Sequence, residues 1–481
     1  MKSRQILCDR KTFWMIFLTA GVVSVPLLTD YLLTGCELQA SLSRIEAMVQ
    51  GMGKTFPVRI GPWGSLDYGY GGASFQADVF YLIPALLRLA GLPLSLAYKL
   101  TLFLVNMVTA ALSLRCFEKC FQNREIGLAG SVLYTWCPYR LTELYINGNL
   151  GDIVAWSFLP IVLSGLIELY TMNEECEDYS RLWVPLAFGF SLLTLSSTNL
   201  LFLGGGMTVI IMLLMGKRTL RRKVLLIMGK TVTATFFVNA WFLVPMLLRM
   251  RDVSTVGILI PRDIRSGGMY FAQYMSIFQW GGDSNALGQN GMVRAQAMGP
   301  GITVAVLLLI YLWALFVGKC KEQKEIHHAC IRLLWVCLVL MILSSNSFPW
   351  DLLQDRNMLF SVMLSLLRTP ARWGIPACTC MIAAACLMLS WLNRQYGEKA
   401  YKLTLSAVIA VSFGTTQFLL GNIMKTRSYV KLEENAMELI PLQVIAEESM
   451  VWRMCEVLSG AVIGCCLLLV LVRRRRNVKK V

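Results

Sequence analysis

The sequence predicts an all-α polytopic membrane protein with about 12 transmembrane helices. Three observations predict it. Apolar residues make up 56% of the 481-residue chain and charged residues 15%, and the mean hydropathy is +0.58. Runs of roughly 17–25 mostly apolar residues, long enough to cross ~30 Å of hydrocarbon, recur from end to end. The basic links between them fall on one side of the implied membrane: "KSRQILCDRK", "RCFEKCFQNR", "GKRTLRRK", "GKCKEQKEIHHACIR", "NRQYGEKAYK" and "RRRRNVKK". That asymmetry marks the cytoplasmic side and puts both termini there. It also accounts for the net charge of +16 without nucleic acid, because basic links spread along a chain are not a recognition surface.

The expected spans are 13–29, 94–114, 126–145, 150–169, 182–196, 199–215, 224–248, 302–317, 333–346, 375–392, 403–420 and 457–472. They form a single transmembrane domain over 1–481, with extracytoplasmic segments at 30–93, 249–301, 347–374 and 421–456. The stretch 78–91, "DVFYLIPALLRLAG", is too short to cross and is read as a helix at the outer surface. Leu33-Thr34-Gly35-Cys36 has the form of a lipoprotein processing box. Asp30 interrupts the apolar stretch before it, so the first span is read as retained. Most of the fifteen cysteines fall inside spans or on the cytoplasmic side, where they act as small apolar residues rather than a disulfide framework.

The first outer segment begins on an acid, Asp30. Leu38, Leu42, Ile45, Val49 and Met52 then recur at spacings of four, three, four and three, a helical stripe with polar residues off it. Such a helix is expected to lie in the membrane interface. Two readings of Asp30 are open: a solvated acid before a surface helix, or the floor of a pocket that the helix roofs. "FPVRIGPWGSLDYGYGGASF" (56–75) is rich in Gly and aromatics and reads as loop, with Trp63, Tyr68 and Tyr70 offering flat faces for sugar rings or for the lipid interface.

The turn between the third and fourth spans carries Arg140, Glu143 and Asp152. Asp152 begins a helix, so it reads either as a first-turn acid serving the helix or as a site carboxylate. "LLRTPARWG" (366–374) sets Arg368 and Arg372 before the tenth span, as membrane anchors or as a pair suited to a phosphate. The only histidines, His327 and His328, fall in a cytoplasmic link. Outer-face chemistry therefore needs carboxylate bases. A metal, if the site uses one, would be a hard cation such as Mg²⁺ or Mn²⁺, with no histidine ligand.

This order of features resembles the GT-C superfamily of multi-pass glycosyltransferases. More narrowly, "LSRIEAMVQGMGKTFPVRIGPWGSLDYGYGG", "LAYKL", "VLYTWCPYRLTELYINGNLGDIVAWSFLPIVLSGL" and "NAWFLVP" resemble a bacterial membrane family related by name to 6-pyruvoyl-tetrahydropterin synthase. The likeness covers residues 25–245, and beyond that rests on "LLRTPARW". The resemblance implies that Asp30 is the general base on the acceptor hydroxyl and that Gly151-Asp152 matches a "GE"-like element. Ser197-Thr198-Asn199 stands where relatives often carry a histidine. It further implies a lipid-linked sugar donor, a cell-envelope acceptor and contact with membrane lipid. The setting would be a bacterial cytoplasmic membrane with the active face outside. The alternatives are a lipid or polysaccharide transporter or flippase, and a surface-polysaccharide polymerase. A transporter predicts mid-span charges, of which Lys230 is one.

Overall fold

The computed structural model describes residues 10–33, 35, 37–52, 61–63, 66–70, 75–249, 264–276, 296–316, 324–354, 367, 369–426, 429–430, 454, 457–465 and 468. Cys36, Arg368, and most of the expected 249–301 and 421–456 segments lie outside them.

The chain opens with α1 (Arg10–Val23), a 3₁₀ turn (Val25–Leu28) and the short strand β1 (Leu32–Leu33). Then come α2 (Leu38–Met52), β2 (Gly61–Trp63), β3 (Leu66–Tyr70) and α3 (Leu82–Leu89). The central helices are α4 (Leu94–Phe121), α5 (Arg124–Thr135), α6 (Pro138–Thr142), α7 (Leu150–Trp156), α8 (Leu159–Thr171), α9 (Trp183–Ser196), α10 (Thr198–Met215), α11 (Arg222–Val238) and α12 (Ala240–Arg249). After them come α13 (Ile302–Phe316), α14 (Lys324–Ser344), α15 (Trp350–Gln354), α16 (Gly374–Thr426) and β4 (Tyr429–Val430), which pairs antiparallel with β1.

Among the described residues four helices are long and apolar enough to cross a membrane: 94–121, 150–171, 198–218 and 370–425. A fifth span results if α11 and α12, bent by 82° at Asn239, count as one. Twelve straight crossings are therefore not what the described residues show. The third expected span, 126–145, is no single helix. Cys137 precedes Pro138 and takes an extended backbone (φ −56°, ψ 122°), which stops α5 and lets Pro138 start α6. The tenth and eleventh expected spans run together as α16, kinked at Gly397, whose φ of +78° only glycine adopts freely. The stretch expected as loop at 56–75 contains the antiparallel pair β2–β3.

The amphipathic reading of α2 holds, but its stripe faces protein. Leu38, Leu42 and Ile45 are buried in the main core, with Val49 and Met52 packed against it. Ion pairs hold the helix down: Arg88 Nε to Glu46 Oε1 at 2.6 Å and Arg44 Nη1 to Asp78 Oδ1 at 3.4 Å. The surface that would rest on lipid thus rests on α3 and the turn after α6.

Helices pack closely where glycine allows it. A Cβ at Gly127 or Gly130 on α5 would strike Glu118 or Phe117 of α4. Gly206 of α10 lies directly against the Trp373 indole. Gly206→Ala should push that ring and its neighbour Arg372 outward, costing about 1–3 kcal/mol, read as a lowered thermal midpoint.

Candidate active site

Asp152 is the third residue of α7. Asn149 is the cap of that helix, its Oδ1 accepting the Asp152 N–H at 3.3 Å. Capping is thus done by Asn149, which leaves the Asp152 carboxylate for other work. It is 1% exposed. Its Oδ1 accepts a hydrogen bond from the Ser197 hydroxyl, and its Oδ2 lies 3.1 Å from Arg372 Nη2. Gly151 makes this possible, because a Cβ there would stand 2.6 Å from the Ser196 carbonyl.

Arg372 sits in a 3₁₀ turn, Pro370–Trp373, that leads into α16. The Tyr139 hydroxyl donates to the Ala371 carbonyl at 3.0 Å and ties that turn to α6. The guanidinium is buried, and the same Nη2 lies 3.7 Å from Glu37 Oε1. Glu37 comes from the loop before α2. Its N–H donates to the Asn147 carbonyl at 2.7 Å, and the Asn149 side-chain amide donates to its Oε2.

Glu143 completes the cluster from a π turn, Glu143–Asn147, which lies in none of the four helices long and apolar enough to cross a membrane. It is 2% exposed. Burial pushes its carboxyl up to about 7; Arg372 opposes the rise, and the charges of Asp152 and Glu37 add to it. Its Oε2 is buried with no hydrogen-bond partner.

The structure therefore brings Asp152, Glu143 and Arg372 together. Arg140 points elsewhere. Its Nη2 donates to Asn106 Oδ1 at 2.6 Å and Thr109 Oγ1 at 3.1 Å on α4, and its Nη1 to the Thr135 carbonyl at 3.2 Å. Asp30 is exposed at the bend before β1. It is within electrostatic reach of Lys99, whose ammonium donates to the neighbouring Thr29 carbonyl at 2.6 Å. Tyr70 ends β3, with its side chain outside the described residues, as is Arg368.

Three members of the cluster carried no expected role. Glu37 precedes the apolar stripe of α2 and belongs to no period. Asn149 was legible as a cap in "NLGD", an Asn three residues ahead of an acid. Ser197 was visible only as a departure from a family pattern. Among the described residues no three His, Cys, Asp or Glu groups are placed to hold a metal ion. The Arg372 guanidinium contacts both Asp152 and Glu37, the oxygens a hard cation would need.

An apolar groove of about 770 Å³ opens between α13 and α14, lined by Leu308, Leu312, Leu334, Met341 and Met381 among others. Tyr274 is among the lining residues, with its hydroxyl 2.7 Å from Ser344 Oγ. That hydroxyl also borders Gly374, just beyond Arg372.

Comparison with solved structures gives distant likenesses. Arabinofuranosyltransferase AftD from mycobacteria is 12% identical, with 88% of this chain and 28% of that one covered and a TM-score of 0.44. The Archaeoglobus fulgidus oligosaccharyltransferase in its apo form is 11% identical, with 85% and 56% covered and a TM-score of 0.48. The oligosaccharyltransferase AglB from the same organism, in complex with an inhibitory peptide and a dolichol-phosphate, is 12% identical, with 86% and 56% covered and a TM-score of 0.47. The chain thus spans between about a quarter and just over half of the length of these proteins, and a likeness at this level carries no argument about activity. No curated protein sequence matches the chain. Residues 74–256, which hold Glu143, Asn149, Asp152 and Ser197, match the model of the family described as 6-pyruvoyl-tetrahydropterin synthase related domain; membrane protein.

Proposed function

We propose that the protein is a membrane glycosyltransferase. In this reading it moves a sugar from a polyprenyl-phosphate-linked donor to a cell-envelope acceptor at the extracytoplasmic face. The observation that carries the reading is a buried arginine set among three carboxylates, with the apolar groove linked to its turn through Tyr274 and Gly374. A cation placed where negative charge develops is what a departing phosphate requires. The apolar groove suits the tail of a lipid that presents that phosphate.

In the reaction the acceptor hydroxyl attacks the anomeric carbon as the bond from that carbon to the phosphate oxygen breaks. The electron pair leaves with the phosphate, whose charge Arg372 neutralises. The hydroxyl proton passes to a carboxylate. Glu37, the most open of the three with 31% side-chain exposure, is the one an acceptor reaches. Asp152 holds Arg372 in position. Asp30, on the other side of β1 from Glu37, is the base that the resemblance implies; in this reading, beside Lys99, it orients the acceptor. One base and one face of attack favour inversion.

The test is transfer by the purified protein in nanodiscs, supplied with labelled polyprenyl-phosphate sugars and an envelope extract. A single-sugar product supports the reading. Donor movement across the bilayer without a product identifies a flippase, and long products a polymerase. The groove makes a separate expectation. Leu334→Trp should raise KM about tenfold for a long-tailed donor, the loss of a few buried methylenes at ~0.8 kcal/mol each. A short-tailed donor should be unaffected by the same change.

A further inference from the structure

Among the described residues, Glu37, Asp152 and Glu143 all face the Arg372 guanidinium. Fully ionised, the cluster would hold more negative charge than Arg372 can offset in a nearly dry place, which is costly. The charge is relieved most cheaply at the carboxylate with the poorest partners. Asp152 has Arg372 at 3.1 Å and the Ser197 hydroxyl. Glu37 has Arg372, the Asn149 amide and partial exposure. Glu143 has a side-chain bond to Asn147 and an Oε2 that is buried without a partner.

From this geometry we propose that Glu143 carries the exchangeable proton of the site and donates it, through Oε2, as a hydrogen bond to a phosphoryl oxygen of the ligand held against Arg372. A neutral carboxyl is a donor, whereas a carboxylate only accepts and would repel that oxygen. Among the described residues, the charged and titratable groups facing Glu143 are Arg372 from the 3₁₀ turn, Asp152 from α7, Glu37 from the loop before α2, and Tyr139 from α6. Arg372 favours loss of the proton; the two carboxylates favour keeping it. No covalent step is involved: the proton stays on Glu143 and is shared. The identity of the ligand rests on the function proposed above, but the proton does not.

Two measurements test this separately. Infrared difference spectra of the full-length protein in lipid, without ligand, should show a carboxylic C=O band that disappears as pH rises through neutrality. Glu143→Gln should lack that band, and Glu143→Asp should keep one at a shifted frequency. A band unchanged in Glu143→Gln, or none titrating near neutrality in the wild type, overturns the assignment. Binding of a prenyl phosphodiester sugar, whose own charge is constant, should weaken about tenfold between pH 7 and 8.5 as Glu143 ionises. It should stay level in Glu143→Gln, whose amide remains a donor. Equal pH dependence in both proteins overturns the hydrogen bond. A titrating band combined with no binding at any pH overturns the phosphoryl ligand together with the donor reading, and leaves the proton on Glu143.

Discussion

Arg372→Leu should abolish sugar transfer and lower the thermal midpoint of the purified protein more than any other single change at the site. Among the described residues, the guanidinium is the positive charge that Asp152 and Glu37 share, at 3.1 and 3.7 Å. Removing it leaves buried carboxylates without compensation, a loss of about 3–5 kcal/mol for a broken buried pair. The chemical loss is separate. Removing a donor aimed at developing charge costs about 10²–10³ in kcat, and here the full charge goes as well. Arg372→Lys separates the two effects. Lysine keeps the charge and should recover much of the stability, but as a point charge it cannot span two carboxylates and a phosphate. The expected result is a folded protein with little activity. A fully active Arg372→Leu would end the phosphate role.

Asp152→Asn is the second large effect. The amide keeps the shape and can still accept from Ser197, so the fold should survive. Arg372 loses its shortest anionic contact and becomes free to swing toward Glu37. A fall in kcat of about 10²–10³ is expected, with KM for the donor nearly unchanged. The same variant has a second signature. The Asp152 charge is one of the forces raising Glu143. Without it the Glu143 carboxyl should give up its proton at lower pH, and the midpoint of the pH profile should move to the acid side. A kcat loss with no movement of that midpoint would mean that the two carboxyls do not share one field.

The helical, membrane-crossing character was legible in apolar runs, because lipid imposes a length and a hydropathy that few other environments do. The departures come where local chemistry outweighs that signal. Pro138 divides an apolar run that hydropathy reads as continuous. The bend at Asn239 and the join across Gly397 change helix direction without changing composition. At the site, Asp152, Glu143 and Arg372 were legible because charged residues at the membrane boundary are costly and few. Arg140 has the same signature, yet it turns inward to Asn106 and Thr109, a choice set by partners far along the chain. Glu37 and Ser197 carry no local pattern. They join the site only through packing of the loop before α2 and the α9–α10 junction.

The contacts around Gly148 bear on how this protein can be re-engineered. Its carbonyl accepts from the Ser41 hydroxyl at 2.8 Å, Ser41 accepts in turn from the Leu150 N–H at 3.2 Å, and a Cβ on Gly148 would crowd Leu38. Gly35 lies as closely against Asn147. Segments 35–41 and 146–150 are therefore a lock and its key, cut to one another. A chimaera that borrows the first outer loop from a relative must borrow the second segment with it. Swapped alone, either piece would misalign Glu37 against Asp152, and recombination breakpoints between them should yield inserted but inactive hybrids.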